Sequence, residues 1–169
     1  MAAIILEPVS TQSQIDTLCA IAKTVWHETY DDLLPPGQPD YMIEKFQSDH
    51  AVKEQMAREN YRYVLAKLGE AYVGFVGYAP RYQGQEEMYL SKAYILPQGR
   101  GQGVVGALFR LVEEETKKEG LSRVRLTVNK GNAHAKAVYE HYGYRTVEAV
   151  QSDIGGGYGM DDYVMVKEL

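Results

Sequence analysis

The stretch YILPQGRGQGVVGALFRLVEEE, residues 94–115, constrains this chain more than any other. An apolar strand runs through Pro97 into closely spaced glycines and then into a segment whose apolar residues recur at helical spacing. Gly101 and Gly103 lack Cβ atoms and can take backbone angles closed to other residues. Successive N–H groups can then converge on an anion at the positive end of the following helix. Arg100 adds a guanidinium for charge-assisted contact with phosphate oxygens. Residues Arg100, Gly101, Gln102, Gly103, Val104, Val105 and Gly106 are therefore predicted to form a pyrophosphate cradle.

Spacing decides which phosphate binder this is. A Walker loop needs Lys followed by Ser or Thr after its last glycine, and here Val104 and Val105 follow Gly103. Gly101, Gly103 and Gly106 satisfy G-x-G-x-x-G, but that dinucleotide fingerprint belongs in the first βα unit of a repeated βαβ fold. In this chain the motif lies in the second half, and Glu119 ends a helix where an acidic strand end would be required. Taken alone, the string also fits an ordinary glycine-rich strand-to-helix turn.

The segment RVRLTVNKGNAHAKAVYEHYGYR, residues 123–145, removes most of that ambiguity. It reads as a strand, a short loop opening on Asn132, a second helix carrying Tyr139, and Gly143-Tyr144 as the stop. Asn132, Ala135, Tyr139, Gly143 and Tyr144 fill the pattern N-x-x-A-x-x-x-Y-x-x-x-G-[F/Y]. Arg100 and Gly103 fill [Q/R]-x-x-G-x-[G/A], with Val105 in the last place; read two residues earlier, Gln98, Gly101 and Gly103 fill it fully. The pair of segments resembles the GNAT superfamily of acyl-CoA-dependent N-acyltransferases. The Arg100 register keeps Ile95-Leu96-Pro97 at the family's usual distance, and the resemblance covers residues 60–169 well and the rest in outline.

The resemblance implies a single α/β domain over residues 1–169: a mixed, mostly antiparallel sheet of about seven strands, a splayed parallel pair, and helices on both faces. It implies an N-acetyltransferase that uses acetyl-CoA as co-substrate and no metal. Backbone groups of Ala93, Tyr94 and Ile95 would meet the pantetheine arm, with the Ile95 N–H as oxyanion donor, and Asn132 and Lys136 would lie on the cofactor side. Tyr139 would protonate the leaving thiolate. Family members often carry a glutamate where this chain has Tyr89, so Glu87, two residues earlier on the same side of the strand, is the candidate base through a water. Trp26, Glu28, Tyr30 and Asp31, at the end of the first helix, together with Tyr89, would wall the acceptor amine. The terminal GMDDYVMVKEL and the TY-x-x-LLP helix end look most like the bacterial polyamine-acetylating branch.

Bulk properties agree with one domain. With 169 residues, 45% apolar and 24% charged, the chain has ordinary globular composition. A net charge of −5 speaks against a nucleic-acid binder and suits a cationic small-molecule amine or polyamine. One cysteine excludes a disulfide framework and makes a reducing, cytoplasmic setting the expectation. MAAIILEPVS lacks a basic flank, and nowhere do 18 apolar residues run together, so no export signal and no membrane partner are expected. A homodimer stays open.

Along the chain, Ile4–Leu6 begins a strand stopped by Pro8, and residues 12–30 form an amphipathic helix with Cys19 on its apolar stripe. LLPPGQPDYM bends the chain between helices, residues 49–60 are helical, and 62–82 fold as a hairpin turning at Leu68-Gly69-Glu70. Residues 87–96 and 123–128 are strands, and the last 25 residues are two strands joined by GGGYGMDD. Two other functions remain at this level. The acceptor could be a protein N-terminus or lysine, or the domain could be a non-catalytic acyl-CoA sensor, which Tyr89 in the glutamate's place favours and Asn132 with Tyr139 disfavours.

Overall fold

Apolar spacing and capping place the first helix where it is expected. In a computed structural model describing residues 2–169, α1 spans Gln12–Tyr30 and starts at Thr11. The Gln14 N–H donates to the Thr11 hydroxyl and the Thr11 N–H donates back to the Gln14 side chain at 2.9 Å, a reciprocal cap. Ile15, Leu18, Ile21, Ala22, Val25 and Trp26 form its buried stripe. The proline-rich segment then turns at Gly37, φ 87°, into the short α2, Gln38–Met42, and a π-helical turn over Ile43–Gln47. Ser48 caps α3, Asp49–Arg58, by accepting from the Ala51 N–H.

Among the described residues there are seven strands: β1 Ile4–Pro8, β2 Arg62–Leu68, β3 Ala71–Pro80, β4 Met88–Ile95, β5 Arg123–Asn129, β6 Arg145–Gly155 and β7 Tyr158–Glu168. They make one sheet in the order β1-β2-β3-β4-β5-β7-β6, antiparallel everywhere except between β4 and β5. Helix α4, Val104–Lys118, crosses from β4 to β5, and α5, Ala133–His141, leads from β5 to β6. Helices lie on both faces. Leu108, Phe109 and Val112 of α4 pack with Val76 and Leu90 on one side, while Leu18 and Ile21 of α1 pack with Leu65 and Phe75 on the other. Burial on both faces explains why β3 is apolar without alternation. The terminal hairpin turns on Gly156-Gly157 alone, so Met160–Asp162, expected in a connection, belong to β7.

One close contact in this sheet is testable. A Cβ on Gly77 would lie 2.5 Å from the Tyr63 ring, which a hydrogen bond to Gln55 holds in place. Gly77→Ala should lower unfolding stability by about 1–3 kcal/mol through overpacking. An unchanged denaturation midpoint would show that the ring swings aside freely.

Two irregularities position the site. Strands β4 and β5 pair only at Met88 with Val124 and at Tyr89 with Arg125, so they diverge towards Ile95 and Asn129. Along β4, Lys92 faces Gly77 of β3 while Leu90 faces Tyr78, which leaves Ser91 as the extra residue of a β-bulge. The Leu96 N–H donates to the Val73 carbonyl at 2.8 Å. By antiparallel alternation Tyr94 is tied to β3, and the N–H and C=O groups of Ala93 and Ile95 point into the gap on the β5 side. Among the described residues no helix is long and apolar enough to cross a membrane.

Candidate active site

The gap opens into a cavity of about 1140 Å³. Its cofactor half is built by β4, the turn after it, and the starts of α4 and α5. Gly101 and Gly103 have φ of 73° and 82°, backbone that glycine adopts without penalty, and Gly103 is the N-cap of α4. A Cβ on Gly101 would meet nothing within 4 Å, so this glycine is required for its backbone angle, and the space in front of it is open. The bared N–H groups at the positive end of a 15-residue helix fit a pyrophosphate. Gly106 serves differently: a Cβ there would sit 3.0 Å from the Tyr142 hydroxyl, so it allows α4 to pack against α5.

Of the predicted cofactor residues, Ala93, Tyr94, Ile95, Arg100, Gly101, Gly103, Val104, Val105, Asn132 and Tyr139 line the cavity. Gln102 is exposed and donates to the Gln98 carbonyl, and Lys136 pairs with Glu140 at 3.5 Å, so neither faces it. Arg100 binds the Glu28 carboxylate and donates to the Ile95 carbonyl at 3.1 Å. The sequence placed Arg100 on phosphate and Glu28 on the amine; in the structure they hold each other.

The acceptor half is walled by aromatic side chains. Trp26 lies 4.4 Å from Tyr30, ring centroid to centroid, and its indole N–H donates to the Tyr94 hydroxyl at 2.9 Å. Tyr89 stacks on Tyr82 at 4.7 Å. Trp26, Tyr30 and Tyr89 line the cavity, whereas Asp31 pairs with His27 at 2.8 Å and lies outside it with Glu28. Glu87 is not brought to the cavity either. Its carboxylate accepts from Arg125 at 2.7 Å, with Arg123 at 3.8 Å, because the parallel register sets Arg125 opposite Tyr89. Held by Arg125 and away from the cavity lining, Glu87 drops out as a candidate base.

Three lining residues were not among the predicted site residues. Gln47 ends the π-helical turn, nearly inaccessible, and donates to the Tyr94 hydroxyl at 3.3 Å. Lys92 is buried on the α1 side of β4, donating to the Phe46 carbonyl at 2.5 Å and to Gln55 at 3.1 Å. Asp162 of β7 is buried near Tyr30. Only Asp162 had a visible signal, since period 2 puts it in line with Val164 and Val166.

Burial tunes the titratable groups. It pushes the phenols of Tyr139, Tyr94 and Tyr30 above the ordinary value, with Asn132 partly opposing it at Tyr30. Burial also lowers Lys92 from 10.5 to about 7. Between those values the unfolded chain binds the proton that folded Lys92 has released, so stability should rise with pH from about 7 to 10 by up to about 1.4 kcal/mol per unit. Above 10 the raised phenols act with opposite sign. Lys92→Met should abolish the slope in urea titrations at pH 7, 8 and 9; a slope that persists would place the titration elsewhere.

The glycine cradle, the splay and the Asn132–Tyr139 helix agree with the Acetyltransferase (GNAT) family, whose sequence profile matches residues 25–144. The chain belongs to this family. An uncharacterized N-acetyltransferase of Mycobacterium tuberculosis is 36% identical over 95 residues, which cover 56% of this chain and 60% of that protein. Its counterpart in Mycobacterium bovis matches to the same extent. The chain thus spans 60% of the length of these curated relatives. Among solved structures, PaiA N-acetyltransferase from Thermoplasma acidophilum in complex with coenzyme A has a TM-score of 0.79 at 19% identity, over 99% of both chains. Ribosomal-protein-alanine N-acetyltransferase from Brucella melitensis has a TM-score of 0.70 at 19% identity, over 98% of this chain and 99% of that one. At such identity the likeness is one of fold. This GNAT chain keeps the family's seven-stranded sheet with its diverging parallel pair.

Proposed function

We propose that this chain is an N-acetyltransferase that moves an acetyl group from acetyl-CoA directly to the primary amine of a small molecule or polyamine. The observation that carries the reading is the divergence of β4 and β5, which leaves Ala93 and Ile95 backbone groups facing a cavity shared by the glycine cradle and Tyr139. The cradle at Gly101–Gly103 would hold the pyrophosphate and the edge of β4 the pantetheine amides. The bound thioester supplies an activated acyl group. The Ile95 N–H is the donor for the carbonyl oxygen at attack, and Tyr139 returns a proton to the leaving sulfur. Cys19 supplies no covalent route: its thiol packs among core side chains, and burial pushes its pKa up.

The test is thiol release from acetyl-CoA with a panel of amines, polyamines, amino acids and peptides. Turnover with amines is expected, and faster release with peptides would move the acceptor to a polypeptide. In thermal melts acetyl-CoA should raise Tm while NAD, NADP and ATP at equal concentration do little. A larger shift with NADH would overturn the acyltransferase reading.

A further inference from the structure

We propose that Asp162 receives the ammonium group of the acceptor and takes its proton before transfer, which makes it the general base that Glu87 is not. The inference rests on the acyltransferase reading above.

Asp162 is the register partner of Asn129, the last residue of β5, three residues before Asn132 and ten before Tyr139. It stands at the open end of the splay. Alternation sends it to the same face as buried Val164 and Val166, and sends its neighbour Asp161 outward to Lys130 at 2.9 Å. Asp162 is 9% exposed and lines the cavity, yet its Oδ1 has no donor among the described residues. A buried carboxylate oxygen without a donor is costly in a protein that works alone. Lysines of the adjoining loop and of the cavity lining are engaged elsewhere: Lys130 on Asp161, Lys45 on the Ile154 carbonyl, and Lys92 on Phe46 and Gln55.

A ligand that brings both positive charge and N–H donors resolves this, and a protonated primary amine brings both. The surroundings agree. Asp162 lines the same cavity as Tyr30 and Tyr139, and its charge adds to the rise of the Tyr30 phenol. Gln47 offers a second acceptor, Oε1, buried in the same lining and without a donor. Burial, and after it the charge of Asp161, raises Asp162 to about 6, which keeps it ionised at neutral pH and makes it a stronger base than an ordinary aspartate.

The step balances. An ammonium N–H bond breaks and its proton passes to Asp162 Oδ1; the freed lone pair forms the C–N bond as the C–S bond breaks. The sulfur takes the Tyr139 proton. The surplus proton on the new amide nitrogen restores Tyr139, and Asp162 yields its proton to solvent, so one proton is released per turnover.

The test compares Asp162→Asn with the parent, using the primary amine that gives the fastest thiol release. The variant keeps the shape and loses charge and basicity. Its kcat/KM should fall by about 10² or more, with acetyl-CoA affinity within about twofold. Asp161→Asn should stay within about threefold of the parent. Undiminished turnover in Asp162→Asn overturns the inference and leaves the acyltransferase reading intact; a parent that releases thiol with no amine overturns both. Should Asp162→Asn misfold, ¹³Cγ-aspartate NMR of the parent decides. Adding that same fastest-reacting primary amine to its coenzyme A complex should shift one buried aspartate carboxyl signal, and an unmoved spectrum overturns the inference.

Discussion

Tyr139→Phe is expected to lower kcat by about 10² to 10⁴ while leaving coenzyme A affinity nearly unchanged. The ring of Tyr139 stacks on Phe109 at 5.8 Å and meets Tyr144 edge-on at 5.8 Å, contacts a phenylalanine reproduces. Only the proton is lost. Burial, with Tyr30 and Tyr89 nearby, holds that phenol above its ordinary pKa, so it is fully protonated when the sulfur departs and is regenerated readily afterwards. A merely structural Tyr139 would tolerate phenylalanine with full activity, and a binding-only domain would show no turnover in the parent. Tyr142 is the control, because it lies on the same helical segment, meets Phe109 at 5.0 Å, and packs its hydroxyl against Gly106. Tyr142→Phe should remain within a few-fold of the parent in kcat. Equal losses in the two variants would assign the effect to α5 packing and remove Tyr139 as the proton donor.

What was legible in the sequence is what local physics determines. The helix over residues 12–30 carries its own cap and stripe, and the glycines at 101 and 103 announce positive φ before a helix. Side-chain partnerships across strands were not legible. Glu87 looked available because nothing in the linear order brings Arg125 to it; the parallel pairing of β4 with β5 does. Glu28 and Arg100, 72 residues apart, were assigned to separate ligands for the same reason. The bulge at Ser91 breaks the period-2 count along β4, which put Lys92 on the buried α1 side beside Gln55 and Phe46 without any periodic signal. Gln47 sits in a π-helical turn that no repeat predicts. Asp162 was hidden otherwise: its alternation with Val164 and Val166 is plain once β7 begins at Tyr158, but a connection drawn through GGGYGMDD removes it from the strand.

Gly103→Val should weaken acetyl-CoA binding by about 1–3 kcal/mol, roughly 5- to 150-fold in Kd. Gly103 holds φ at 82°, and a β-branched residue there is strained whatever room surrounds it. Room is not the constraint, since the nearest atom to an added Cβ is Ile4 Cδ1 at 3.8 Å. Relief of the strain must therefore come from the backbone, rotating the cap of α4 and turning away the N–H groups that would face the pyrophosphate. Arg100→Ala should cost less, and more visibly at low salt, because Arg100 is partly exposed and already shared between Glu28 and the Ile95 carbonyl. The two losses separate a backbone cradle from a charge contact: raising ionic strength should shrink the Arg100 effect and leave the Gly103 effect nearly intact. Calorimetry that finds unchanged affinity in a folded Gly103→Val variant would remove the pyrophosphate from this turn and with it the cofactor half of the site.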